Sequence, residues 1–164
     1  MTVYEDVIAA VEQTETWTPW SRFSDVATEA PTTPGVYMFR SEGKIIYVGV
    51  AGPRDGNGTK DPKGLFGRST IYRGGRVSGF GQALFDAALA DREFLQGRLA
   101  ELDSGQPRRA VDWVRTAYEH YDPDVRWAVL NTKDHTLRIV EQIVGMLREY
   151  DLLNREAVRY RATR

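Results

Sequence analysis

Three observations make this chain a small α/β (α+β) domain: a three-stranded, mostly antiparallel sheet flanked by helices, with a helical insertion. Two β-patterned runs, Gly35-Val36-Tyr37-Met38-Phe39-Arg40 and Lys44-Ile45-Ile46-Tyr47-Val48-Gly49, flank the turn Ser41-Glu42-Gly43, where Gly43 can take the left-handed position. A third run, Val125-Arg126-Trp127-Ala128-Val129-Leu130, comes far downstream. Helical patterns fill the sequence before, between and after these runs.

In chain order, residues 1–33 read as a helix from Val3 to Glu12 followed by an irregular arm carrying Trp17, Trp20 and Phe23, and Pro31 and Pro34 stop any helix. Residues 34–73 hold the hairpin, a loop rich in glycine and proline from Ala51 to Gly64, and a helix from Leu65 to Arg73 that Gly74-Gly75 ends. Residues 74–124 form the insertion, with two helical patterns: Ala83, Leu84, Ala87, Ala88 and Leu95 mark the first, Val111, Val114 and Tyr118 the second, and Ser104-Gly105 separates them. Residues 125–154 carry the third strand and a helix that Asp134 would cap and that runs to about Tyr150. A basic tail with Arg155, Arg159, Arg161 and Arg164 completes the chain.

The length of 164 residues suits one domain, and 41% hydrophobic with 11% aromatic residues supplies a core, which excludes a disordered chain. Apolar runs such as Ile45 to Ala51 fall far short of the roughly 20 residues a bilayer needs. The start Met1-Thr2-Val3-Tyr4-Glu5-Asp6 lacks the basic segment of a signal peptide, so a soluble, cytoplasmic protein with no membrane partner is expected. Without cysteine there is no disulfide, thiolate nucleophile or zinc ribbon, and any metal must use oxygen or imidazole ligands. The net charge is -1 but unevenly spread. Lys60, Lys63, Arg68, Arg73 and Arg76 meet only Asp61, whereas the first 29 residues are acidic. That basic stretch reads either as a track for a nucleic-acid backbone or as a solvated loop.

Parity along the hairpin brings two tyrosines together. With a three-residue turn Arg40 pairs with Lys44 and Tyr37 lies directly opposite Tyr47, both phenols on one face. Such pairs are also ordinary cross-strand neighbours.

These residues resemble the GIY-YIG nucleases, whose two name-giving strands stand here as Gly35-Val36-Tyr37 and Tyr47-Val48-Gly49. The closest pattern is the nuclease domain of the excision-repair incision subunit. The family's helical arginine matches Arg68 in Leu65-Phe66-Gly67-Arg68, and Tyr72 follows four residues on, hence on the same face. Its metal-binding glutamate matches Glu141 within Leu137 to Ile143, and its late asparagine matches Asn154. The resemblance covers about Pro34 to Asn154 with one large interruption, and it implies a GIY-YIG-like fold and DNA cleavage with Mg²⁺ or Mn²⁺. Two departures stand out. Val50 replaces the polar residue that often follows the second motif, with Lys44 as candidate substitute, and the Gly-rich loop and the helical insertion enlarge the domain.

The chemistry can also be argued from the residues. Phosphodiester hydrolysis needs a deprotonated water, a cation for charge building on the phosphoryl oxygens, and a stabiliser for the leaving oxygen. A lone Glu141 suits a divalent ion that keeps several waters and takes further ligands from phosphate. Placed at the edge of a stripe of Leu137, Val140, Val144 and Leu147, it can reach a cleft, or it can pair with Arg138 or Arg148. Arg68 can bind the scissile phosphate with its planar fork. Tyr37 or Tyr47 is the base, Tyr72 orients water or phosphate, and Asn154 fixes a neighbouring group by hydrogen bonding. Lys44, Lys60, Lys63, Arg73 and Arg76 would hold the DNA backbone. His120 and His135 read as surface or helix-boundary residues. The expected function is metal-dependent endonucleolytic cleavage of DNA; the alternatives are a catalytically weak nucleic-acid-binding module and a protein-interaction domain on the same scaffold.

Overall fold

A computed structural model describes residues 2–52, 64–77, 79–130 and 132–154. The chain opens with α1 (Val3–Glu12), started by Thr2 and Glu5, whose side chains each bond the other's backbone N–H. The arm then forms β1 (Ser21–Arg22) and one turn of helix, α2 (Phe23–Val26). The hairpin follows as β2 (Gly35–Ser41) and β3 (Lys44–Ala51), then α3 (Gly64–Arg73). The insertion holds α4 (Phe80–Leu89), α5 (Arg92–Asp103) and α6 (Ala110–Tyr121), before β4 (Asp124–Val129) and α7 (Lys133–Leu147). Among these residues no helix is long and apolar enough to cross a membrane.

The sheet is antiparallel and has four strands, not three, in the order β1-β4-β2-β3. The extra strand comes from the arm, where Ser21 and Arg22 pair with Val125 and Asp124. Two residues are too few to show alternation, and only the open edge of β4 makes them a strand. The insertion holds three helices rather than two. The apolar stripe that runs on to Leu95 is broken at Asp91, whose carboxylate accepts from the N–H groups of Glu93 and Phe94 and starts α5. Thr132, not Asp134, caps α7, leaving Asp134 in the first turn, and the helix ends at Leu147.

The hairpin register also differs. The turn is two residues long, with Glu42 at φ 50° and Gly43 at φ 76°, the paired left-handed conformations that suit the twist of adjoining strands. Phe39 pairs with Tyr47 but Arg40 pairs with Ile45, so Ile46 is an extra residue in a β-bulge. Tyr37 therefore stands opposite Gly49, not Tyr47. The shorter turn alone would reverse the parity of the strand, and the bulge reverses it again. Tyr37 and Tyr47 still share a face, two residues out of the expected register.

The two faces carry separate cores. On one, Tyr37, Phe39, Tyr47 and Val125 pack under α3, α4 and α6 through Leu65, Tyr72, Phe80, Leu84, Val114 and Tyr118. On the other, Val36, Met38, Ile45 and Val48 pack on α1 and α7 through Val11, Ile139, Ile143 and Leu147. β2 is thus buried from both sides along Gly35 to Phe39. The arm is held by a stack the sequence did not reveal: the buried Arg126 guanidinium lies 5.2 Å from the Trp17 ring and 4.5 Å from the Trp20 ring, and reaches Glu12 at 3.1 Å.

Candidate active site

Three phenols and one guanidinium meet on the α3 face of the sheet. Tyr37 and Tyr47 stand in neighbouring strands with rings stacked at 6.3 Å. The register gives Gly49 its reason: a Cβ there would lie 2.3 Å from the Tyr37 ring and its hydroxyl, so only glycine lets that phenol lie across β3. Arg68 and Tyr72 come from α3, whose first turn is anchored by Leu65 N–H to Thr33 O and Phe66 N–H to Pro31 O, carbonyls of the segment leading into β2. The four-residue spacing puts both side chains on one face, the Arg68 guanidinium 6.0 Å from the Tyr72 ring.

The Tyr72 hydroxyl is 2.6 Å from that of Tyr37 and accepts from the Phe80 N–H at 3.3 Å. The Tyr72 oxygen, with two lone pairs, can accept from the Phe80 N–H and still either donate to or accept from the Tyr37 hydroxyl. Burial, then the adjoining Tyr72 and Tyr47 phenols, holds Tyr37 well above the ordinary phenol range, and Arg68 offsets only part of this. Tyr47 and Arg68 are half-buried and reach solvent. The cleft lined by Tyr37, Leu65, Arg68, Ser69, Tyr72 and Trp127 encloses about 10 Å³, room for one water, so a phosphodiester would be met at its mouth.

The other expected residues lie further out. Asn154 is buried at the open edge of β3, where its side-chain oxygen accepts from Val48 N–H at 3.0 Å and its amide donates to Val48 O at 2.7 Å. With Leu153 N–H bonded to Ile46 O, it completes the edge that carries Tyr47. Glu141 is exposed. The buried stripe of α7 is Thr136, Ile139, Ile143 and Leu147, turned from the expected one, and Leu137 is 41% exposed. Glu141 sits on the side away from this stripe, on a helix that packs against the sheet face opposite the tyrosines. Sequence periodicity alone does not choose between two overlapping apolar stripes; contact with Val36, Met38 and Val48 does.

Lys44 is exposed at the turn end of the hairpin, roughly 20 Å of strand from Val50. Arg73 and Arg76 are exposed at the end of α3, while Lys60, Lys63 and the arginines of the tail lie outside the described residues. His120 and His135 each contact a carboxylate, His120 Nε2 lying 3.0 Å from Asp91 and His135 Nε2 2.8 Å from Glu15. Among the described residues no group of three His, Asp or Glu converges on a metal site. Glu141 makes no ion pair among those residues.

The insertion adds groups that no motif announced. Gly79, at φ 54°, brings the chain onto the site so closely that a Cβ would sit 2.9 Å from the Tyr72 hydroxyl and 3.5 Å from that of Tyr47. Phe80 stacks on Phe39 at 3.9 Å and lies 5.1 Å from Tyr47. In the sequence these positions carry only a glycine and the start of a helical stripe. Comparison of the chain with protein-family models, curated proteins and solved structures gives no match.

Proposed function

We propose that the chain is an endonuclease of the GIY-YIG type that hydrolyses DNA phosphodiester bonds. The observation that carries this reading is the gathering of Tyr37, Tyr72 and Arg68 around one cleft, with Tyr47 stacked beside Tyr37. Arg68 holds the scissile phosphate by its fork and offsets the charge of the transition state. Tyr37, a phenol that its burial keeps protonated, donates to an oxygen of the phosphate. Tyr47, half-buried beside Tyr37, is then the phenol left to take a proton from the attacking water. The resemblance assigns Mg²⁺ or Mn²⁺, which would supply positive charge and acidify water, to Glu141, but that carboxylate stands on the outer side of α7, behind the sheet, and does not share the cleft with Arg68 and the tyrosines.

A second reading, a nucleic-acid-binding module with weak catalysis, is favoured by one observation: α7 packs on the face opposite the tyrosines. The purified protein is incubated with plasmid, single-stranded and branched DNA under Mg²⁺, Mn²⁺ or chelator, as wild type and as Tyr47→Phe. The nuclease reading expects metal-dependent cleavage that Tyr47→Phe abolishes with DNA affinity kept. Binding without cleavage selects the second reading, and no salt-sensitive binding at all rejects both.

A further inference from the structure

A hydroxyl inside a helix usually turns back on the helix itself. Thr70, Thr116 and Thr136 each donate to the carbonyl four residues before, at 2.9, 3.0 and 2.8 Å. Ser69, beside Thr70 on α3, does not. It is 8% exposed, and among the described residues its hydroxyl makes no hydrogen bond. Buried hydroxyls are nearly always paired, because an unpaired one forfeits its hydration and gains nothing in exchange. Ser69 lines the same cleft as Arg68, and Arg68 has no ion pair among the described residues. Every polar side chain along that cleft, Tyr37, Arg68, Ser69, Tyr72 and Trp127, carries an N–H or O–H, and none is a carboxylate.

We infer that the cleft is an oxyanion pocket and that Ser69 is a substrate-binding residue within it, donating beside Arg68 to one non-bridging oxygen of a phosphate group. Size supports this: about 10 Å³ admits one atom of the bulk of a water oxygen, so a phosphoryl oxygen enters while the phosphorus and its substituents stay at the mouth. Chemistry supports it as well. An ionised phosphoryl oxygen only accepts, and a fixed cation with a spare hydroxyl next to it in the chain offers it donors and a compensating charge. That the phosphate belongs to DNA rests on the nuclease reading; the pocket for a phosphoryl oxygen does not.

The full chain, as wild type and as Ser69→Ala, is titrated with inorganic phosphate at constant ionic strength and followed by the Arg68 Nε NMR signal, which is identified by its loss in Arg68→Lys. In the wild type the signal is expected to move and saturate. In Ser69→Ala the phosphate affinity should fall about tenfold, because a hydrogen bond to a charged oxygen has gone. The thermal midpoint without phosphate should hold or rise, since no bond is broken and alanine is the better helix former. Plasmid cleavage under Mg²⁺ should lose about tenfold in kcat/KM. The tenfold loss for phosphate in a protein that neither binds nor cuts DNA upholds the pocket, makes a free phosphate group its ligand and rejects the nuclease. A protein that cuts DNA while Ser69→Ala binds phosphate and cleaves as the wild type does upholds the nuclease and overturns the role of Ser69. An Arg68 signal that phosphate does not move, or a lowered thermal midpoint that reveals a structural partner for the hydroxyl, overturns the proposal.

Discussion

Arg68 and Tyr72 show how much a single spacing decides. Four residues on a helix place a cation and a phenol on one face, and this was legible from Leu65-Phe66-Gly67-Arg68 without any tertiary information. Arg68→Lys keeps the charge and removes the planar fork, so kcat/KM for DNA cleavage is expected to drop about 10²-fold while the thermal midpoint stays put. The choice between Tyr37 and Tyr47 was not legible, since burial distinguishes two phenols that look alike in the sequence. It also predicts a pH effect. Tyr37 and Tyr118 are held well above the ordinary value, and Tyr121 is pushed up to about 12 by burial and Asp91. Below about pH 10 these phenols are protonated in both folded and unfolded chains, so they leave stability flat. Above it the unfolded chain releases its protons first, and stability falls as pH rises toward the folded values. Denaturant titrations between about pH 8 and 11 should show this loss, and Tyr37→Phe should lessen it.

Among the elements, the hairpin is where sequence reasoning came closest and still erred. Alternation of apolar residues placed the strands, but the common tyrosine face was expected from a three-residue turn and holds only because the shorter turn and the bulge at Ile46 cancel. Turn length and bulge are settled by the pairing of β2 with both neighbours, which two strands considered alone do not contain. The open edge of β3 is settled at longer range still, by Tyr4 accepting from Ile45 N–H and by Leu153 and Asn154 bonding to Ile46 and Val48. Asn154→Ala leaves the buried N–H and C=O of Val48 unpaired and should cost about 2 kcal/mol or more, read from the urea midpoint. It should also slow DNA cleavage, because the freed segment carries Tyr47.

For the whole molecule, the sheet separates a layer of α3, α4 and α6 over the tyrosines from a layer of α1 and α7 behind. On the nuclease reading, DNA held by Arg68 would pass the end of α3, where Arg73 and Arg76 are exposed beside the Gly74–Gly75 turn that Arg115 touches. Neutralising Lys60, Lys63, Arg73 and Arg76 together should weaken binding of all sequences alike. The salt dependence should flatten by about 0.9 log unit of slope for each duplex phosphate that is no longer neutralised, as binding isotherms at several salt concentrations would show. Local pattern was enough for the helix from Val3 to Glu12, the two strands of the hairpin, the strand near Val125 and the Arg68–Tyr72 pair, because each follows from periodicity within a few residues. Long-range packing was needed for the fourth strand, the register that sets Tyr37 over Gly49, the face that α7 buries, and the arrival of Phe80 and Tyr118 beside Tyr72. Each of these depends on hydrogen-bond partners and packed surfaces brought from elsewhere in the chain, and neighbouring residues carry no record of them.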